Sequence, residues 1–265
     1  MRYLVLLALL IAPVASAQTW SAVPPPTDVP SALQIVGTDA DSVLLVTQGV
    51  AGWQLYRSTD GATSWGLVDI ALASSLSRLG DRQWAAVDRG TGRETQHLLL
   101  SSDDGANWTR RNLQGIGAVR PGDVDCLASL GPDSLLVGVR VSGGSRGSGL
   151  DLYVGARSGG AWKSLGFPRK GWESGCATDP QGAIFGAVNR TRQIERSRNR
   201  GSSWDTLTVQ AEGLTGLLGS VYTLGADTLF AATPSTLLRS IDAGTSWSRV
   251  QDIEVPPFGT LSGFT

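Results

Sequence analysis

Ser58-Thr59-Asp60-Gly61-Ala62-Thr63-Ser64-Trp65 is a phrase that this chain repeats. It returns as Ser101-Ser102-Asp103-Asp104-Gly105-Ala106-Asn107-Trp108. It returns again as Ser197-Arg198-Asn199-Arg200-Gly201-Ser202-Ser203-Trp204 and as Ser240-Ile241-Asp242-Ala243-Gly244-Thr245-Ser246-Trp247. The shared pattern is Ser-x-Asp-x-Gly-x-Ser/Thr-Trp. Asn199 replaces Asp once, Ala62 replaces Gly once and Asn107 replaces the second Ser once. A fifth stretch, Gly155-Ala156-Arg157-Ser158-Gly159-Gly160-Ala161-Trp162, keeps only the Gly and the Trp.

Each residue type in the phrase has a place in a chain reversal. A carboxylate accepts backbone N–H groups across a turn and fixes it. Gly supplies a positive φ that other residues resist. The Ser hydroxyl ties the preceding strand to the turn, and the Trp buries a large ring as the next strand begins. A structural role is therefore expected for Ser58, Asp60 and Trp65, and for Ser101, Asp103, Gly105 and Trp108. The same holds for Ser197, Asn199, Gly201 and Trp204, and for Ser240, Asp242, Gly244 and Trp247. Carboxylates dispersed through a repeat do not converge on one substrate, so neither catalysis nor metal binding is expected of them.

The tryptophans set the period. Trp20, Trp65, Trp108, Trp162, Trp204 and Trp247 stand 45, 43, 54, 42 and 43 residues apart. Short apolar runs precede the phrases: Ala32–Val36, Val43–Val46 and Trp53–Tyr56 first, then Leu135–Val139 with Leu150–Val154, and Thr228–Ala231 with Thr236–Leu238. Each repeat thus contains four short strands joined by tight turns, which is the content of a propeller blade. The longest interval contains the Gly/Ser-rich stretch from Val141 to Gly149, a flexible hairpin insertion. A solenoid and a sandwich are the structural rivals, and the period favours radial blades. The expected fold is all-β, a β-propeller of four-stranded antiparallel blades.

The repeated phrase resembles the Asp-box, or bacterial neuraminidase repeat, and the resemblance spans nearly all of the chain after residue 17. It implies the propeller fold independently of the period. Asp-box proteins include sialidases, which use an arginine cluster, a Tyr nucleophile with a Glu partner, an acid/base Asp and an Arg-Ile-Pro-like motif near the start. Here Trp20–Ser31 has no Arg, and Arg120-Pro121 comes late and lacks the middle residue. Tyr56, Tyr153 and Tyr222 lie in or beside apolar strands, as packing residues do. Non-catalytic relatives include sortilin-type receptors, photosystem II assembly propellers and exported bacterial repeat proteins. The loose strand phrases here look most like the last group. The implied role is that of a binding or scaffold module for a protein or glycan ligand, with no catalytic residues and no cofactor. The alternative is a sialidase-like glycoside hydrolase.

Five complete repeats run from about Ala32 to Asp252. Thr19–Val23 has the pattern of a lone outer strand, and Thr260–Phe264 that of the beginning of an inner one. The 13 residues after Asp252 are too few for another blade's middle strands. The chain is then either a five-blade ring with decorated ends or an incomplete six-blade ring. An incomplete ring would expose an apolar sheet face and favour self-association. Five full blades are expected.

Residues 1–17 have the form of a secretory signal. Arg2 is followed by the apolar stretch Tyr3–Val14, and Ala15-Ser16-Ala17 is a small-residue cleavage site. The stretch is too short for a stable span, and no Cys follows the site to take a lipid anchor. The expected organisation is a signal peptide at 1–17 and a propeller at 18–265, secreted or periplasmic, not membrane-spanning after cleavage. A formal net charge of −1 gives no broad field for nucleic acid or anionic membrane.

Cys126 and Cys176 fall on inner strands of consecutive repeats, two residues apart in register and on one face. A disulfide between the third and fourth blades is geometrically open to them, as is the role of two small buried apolar residues. No His/Cys/Asp set has metal-ligand spacing, and the lone His97 follows a polar hairpin as a surface residue would. In four-stranded blades the phrases lie on one face. The longer hairpins and connectors lie on the other. The second face is the candidate ligand surface, with Arg120, Asp123, Arg169, Trp172 and Glu173 as its foremost residues, and Trp172 as the aromatic anchor.

Overall fold

The computed structural model describes residues 32–37, 41–49, 52–80, 82–88, 97–113, 115–116, 124–141, 149–166, 172, 175–188, 191–233 and 236–250. The leader, Thr19–Val23 and Thr260–Phe264 lie outside them.

Among the described residues every regular element is a strand. Blade 1 contains β1 (Ala32–Gly37), β2 (Val43–Gly49), β3 (Gly52–Ser58) and the first part of β4 (Gly66–Gly80). Blade 2 takes the rest of β4 with β5 (Gln83–Asp88), β6 (His97–Ser101) and β7 (Thr109–Asn112). Blade 3 contains β8 (Val124–Ser129), β9 (Ser134–Val141), β10 (Gly149–Ala156) and β11 (Lys163–Gly166). Blade 4 contains β12 (Ala177–Thr178), β13 (Ile184–Val188), β14 (Gln193–Ser197) and β15 (Asp205–Thr208). Blade 5 contains β16 (Ser220–Thr223), β17 (Leu229–Ala232), β18 (Leu237–Ser240) and β19 (Ser248–Arg249). The strands of each blade pair antiparallel in sequence order. The chain is a five-bladed all-β propeller.

One joint departs from the repeat. The 15 residues of β4 run unbroken from the outer edge of blade 1 to the inner edge of blade 2. Its first half pairs with β3 and its second half with β5. Between Gly66 and Gly80, which bound the strand, there is neither Pro nor Gly, so no breaker forces the chain out of extension within it.

Successive side chains of a strand point to opposite faces, so each blade buries one face against each neighbour. The cores follow that rule. Leu44, Val46 and Leu55 of blade 1 meet Leu76, Trp84, Ala86 and Leu99 of blade 2. The other faces of β5 and β6 present Ala85, Val87 and Leu98 to Leu135, Val137 and Val139 of blade 3. Leu136, Leu150 and Leu152 turn to Ile184 of blade 4. Phe185, Ala187 and Ile194 turn to Leu229, Ala231 and Leu238 of blade 5. Buried Leu and Val side chains contribute roughly 1.5–3 kcal/mol each, so the seams are where this fold gains its stability.

Hydroxyls bridge the inner strands. Ser77 Oγ of β4 donates to the Leu127 carbonyl of β8. Thr178 Oγ1 of β12 donates to the Ser129 carbonyl at 2.6 Å, and Thr223 Oγ1 of β16 donates to the Thr178 carbonyl at 2.6 Å. Each blade from the second to the fifth is thereby tied to a neighbour next to the axis.

Candidate functional site

The four phrases sit between strands three and four of their blades and share one hydrogen-bond scheme. In the first, Ser58 Oγ donates to Asp60 Oδ1 at 2.8 Å and accepts the Ala62 N–H at 2.9 Å. Asp60 then accepts the Ser64 N–H at 2.9 Å and the Ser64 hydroxyl at 2.6 Å. Ser101, Asp103, Gly105 and Asn107 repeat the scheme, with the Asn107 amide in place of a hydroxyl at 2.7 Å. So do Ser240, Asp242, Gly244 and Ser246. In blade 4 the sense of one bond is reversed, because Asn199 Nδ2 donates to Ser203 Oγ at 2.7 Å.

These donors set the acidity of the carboxyls. The Ser64 hydroxyl, then its backbone N–H and Ser58, hold Asp60 at about 2. The Asn107 amide does the same for Asp103, and the Ser246 hydroxyl for Asp242. A carboxylate bonded in this way is spent on its own turn and is a poor general acid or base near neutrality.

The fourth and fifth residues of each turn take left-handed backbone, with φ of 56° and 76° at Asp104 and Gly105, and 55° and 90° at Ala243 and Gly244. The fifth position also demands closeness. A Cβ on Gly105 would stand 2.9 Å from Leu44 of blade 1, and one on Gly244 would stand 2.7 Å from Leu207 of blade 4. The Trp that ends the phrase enters the seam with the preceding blade: Trp108, Trp162, Trp204 and Trp247 each belong to that core. Trp108 and Trp247 donate their indole N–H back to the Gly105 and Gly244 carbonyls, at 2.9 and 3.1 Å. Trp65 of blade 1 is half-buried.

The fourth residue is a junction. Its N–H bonds the first hairpin of its own blade: Gly61 to Asp41, Asp104 to Arg82, Ala243 to Asp227. Its carbonyl accepts from an arginine of the preceding blade, Arg57 to Asp104 at 2.7 Å and Arg196 to Ala243 at 2.8 Å. The weakest copy of the phrase carries a different clamp. Arg157 occupies the Asp position and donates to the Leu79 carbonyl and Gln83 of blade 2, and to Ser129 and the Gly131 carbonyl of its own.

Cys126 of β8 and Cys176, just before β12, form a disulfide with Cα atoms 5.5 Å apart. It crosses the seam of blades 3 and 4.

Trp172 corrects the ligand-face expectation. It is 0% exposed, not presented to solvent. Its ring stands edge-on to Trp204 at 5.1 Å, and its indole N–H donates to Glu195 Oε2 at 3.0 Å. It also lies where a Cβ at Gly186 would be. A connector aromatic flanked by charge and Gly is drawn into the seam because Gly186 leaves room for the ring and Glu195 takes its polar edge. Arg120, Asp123, Arg169 and Glu173 lie outside the described residues. Arg192, on the same face, holds the connector into blade 5 through the Leu214 and Gly216 carbonyls, at 3.1 and 3.3 Å.

Three buried polar groups escaped the sequence reading. Glu195 is 1% exposed under Trp172, and Asp88 is 1% exposed and ion-paired with Arg110 NH2 at 2.6 Å. His97 is half-buried rather than superficial, and its Nδ1 is buried without a hydrogen-bond partner among the described residues. The one available signal was the charge of Asp88 at the end of the largely apolar β5; β14, which holds Glu195, has Ile194 as its one apolar residue.

No protein-family model matches the chain, and no curated protein matches it. Solved structures do. YCF48 bound to D1 peptide has a TM-score of 0.54, covering 91% of this chain and 87% of that one at 16% identity. YCF48 from Cyanidioschyzon merolae has a TM-score of 0.50, covering 86% and 87% at 15% identity. The GH74 xyloglucanase from Xanthomonas campestris has a TM-score of 0.54 at 18% identity, covering 84% of this chain and 38% of the enzyme. At these identities the likeness is one of fold.

Proposed function

We propose that this chain is an exported β-propeller that acts as a binding or scaffold module for a protein or glycan ligand, without catalysis. The observation that carries the reading is the commitment of the repeated carboxylates. Asp60, Asp103 and Asp242 each accept bonds from their own turn and hold it. Their role is to build a rigid platform, and the hairpins and connectors of the opposite face vary from blade to blade. A fold shared with a propeller solved with a peptide bound is consistent with such use.

Residues 1–17 are the cleaved leader in this reading, and the mature propeller begins at Gln18. A disulfide between Cys126 and Cys176 suits an oxidising compartment. Mass measurement of the exported protein tests the cleavage: a mature mass that still includes Met1–Ala17 would exclude it.

The sialidase-like alternative needs an activated tyrosine. Tyr153 is bonded to a carboxylate, its hydroxyl donating to Asp151 at 2.8 Å. Burial first, then the Asp151 carboxylate, pushes it up to about 12, away from nucleophilic use. Hydrolysis assays on sialyllactose and xyloglucan decide between the readings. No turnover is expected, and turnover abolished by Tyr153→Phe would overturn the binding reading.

A further inference from the structure

A row of paired residues crosses the sheet of blades 1 and 2 at its hairpin end, on the face opposite the turns. Trp53 of β3 pairs with Leu72 of β4, Leu72 with Asp88 of β5, Asp88 with His97 of β6, and His97 with Asn112 of β7. Alternation places Asp88 and His97 on the side of Trp84, Ala86 and Leu99, facing blade 1. Trp53 packs half-buried against that same core. The mouth of this seam therefore carries an indole, a buried carboxylate held by Arg110, an imidazole with an orphaned Nδ1, and the exposed amide of Asn112.

The fold does not call for these groups. Counting from the residue paired with the first position of each turn, the places of Asp88 and His97 hold Thr47 and Gln54 in blade 1. They hold Val139 and Asp151 in blade 3, Val188 and Gln193 in blade 4, and Thr233 and Thr236 in blade 5. Only blade 2 has a carboxylate and an imidazole opposite each other. A buried carboxylate is costly, and a buried polar atom without a partner is rare enough to require a reason. Thr47 Oγ1, at the place of Asp88 in blade 1, is also buried and orphaned, but only blade 2 sets a buried carboxylate beside an orphaned imidazole nitrogen, and a ligand is the reason that fits that pair.

We propose that this mouth binds a neutral saccharide. The inference rests on the binding reading above and gives it a site and a ligand class. Asp88 and Arg110 cancel each other, so the site has no net charge for an anion or a cation. A sugar hydroxyl donates and accepts, so it satisfies His97 Nδ1 in either tautomer. The half-buried indole of Trp53 offers an apolar plane to the C–H face of a pyranose. A peptide fits less well, because β5 and β6 are paired on both sides and have no free main-chain edge to offer it.

His97 is the chain's only histidine, so its imidazole resonances are a unique reporter. The mature protein would be titrated with cellohexaose, chitohexaose, an anionic galacturonate oligomer and a blocked neutral decapeptide. A saturable His97 shift with a neutral hexasaccharide, weakened about tenfold or more in Trp53→Ala, is the expected result. A double variant, Asp88→Val with His97→Gln, installs residues that other blades use. It should melt within a few degrees of the parent and lose saccharide binding in equilibrium dialysis. The proposal is overturned if neither neutral hexasaccharide shifts His97, if the anion or the peptide alone does so, or if the double variant melts more than about 10 °C lower. A protein ligand that binds elsewhere on the molecule would leave the scaffold reading intact while removing this site.

Discussion

Arg57 Nε donates to the main-chain carbonyl of Asp104, 47 residues further on and in the next blade. Arg196 and Ala243 stand in the same relation at the same separation. In both pairs the donor precedes the first Ser of one turn and the acceptor is the fourth residue of the next. The left-handed backbone of that residue sends its N–H to its own blade and its carbonyl to the neighbour. A turn that looks like a local device is thus also a strut between blades.

The struts should be measurable. Arg57→Ala and Arg196→Ala each remove a charge-assisted bond to a carbonyl, worth about 1.5–3 kcal/mol. Arg239 occupies the corresponding place in blade 5 but is exposed, and its guanidinium makes no hydrogen bond among the described residues. Arg239→Ala should change stability by no more than about 0.5 kcal/mol. Urea denaturation of the three variants checks the contrast, and equal losses would refute the strut assignment.

Acid should loosen three of the turns together. Asp60, Asp103 and Asp242 titrate near 2 in the folded chain against an ordinary 3.8. A depressed carboxyl stabilises the fold fully above its unfolded value, and the contribution fades as pH falls through the folded one. Denaturation midpoints should therefore drop between about pH 4 and pH 2. Substituting Asn at all three positions, as Asn199 stands naturally in blade 4, should flatten that part of the curve.

The disulfide should carry much of the seam between blades 3 and 4. It closes a loop with a sequence separation of 50, for which chain entropy predicts ~4 kcal/mol. Cys126→Ala with Cys176→Ala, or reduction of the parent, should lower the urea midpoint by a corresponding amount. An unchanged midpoint after verified reduction would mean that the apolar core alone holds that seam.

Trp172 should behave as core. Trp172→Ala empties a fully buried site and should cost about 3–5 kcal/mol. Gly186→Ala places a methyl in the space of the Trp172 ring and should cost about 1–3 kcal/mol by overpacking. Near-UV circular dichroism would report the loss of the edge-on pair with Trp204. A stable, unperturbed Trp172→Ala would return this residue to the list of surface anchors.

The seam residues show where reading a sequence stops. Asp88, Glu195 and Trp172 stand in stretches whose composition says strand or connector, and nothing near them in sequence says buried. Their burial comes from partners 23 residues away in the case of Trp172 and Glu195, and from Arg110 across two strands in the case of Asp88. Arg157 looked like the loss of a turn signal, yet its four acceptors lie up to 78 residues back along the chain.

The sequence by itself determined the turns and the strands between them, and it led to the expectation of five full blades. Each turn is closed by bonds among eight consecutive residues, and each strand declares its buried faces by the alternation of its own side chains. Only the tertiary structure decided which blade each face meets, that β4 passes unbroken between two blades, which arginines bridge the seams, and that Trp172 belongs to the core while His97 and Asp88 share a mouth. Those outcomes depend on how one blade is rotated and set against the next, and the spacing of residues along the chain does not encode that rotation.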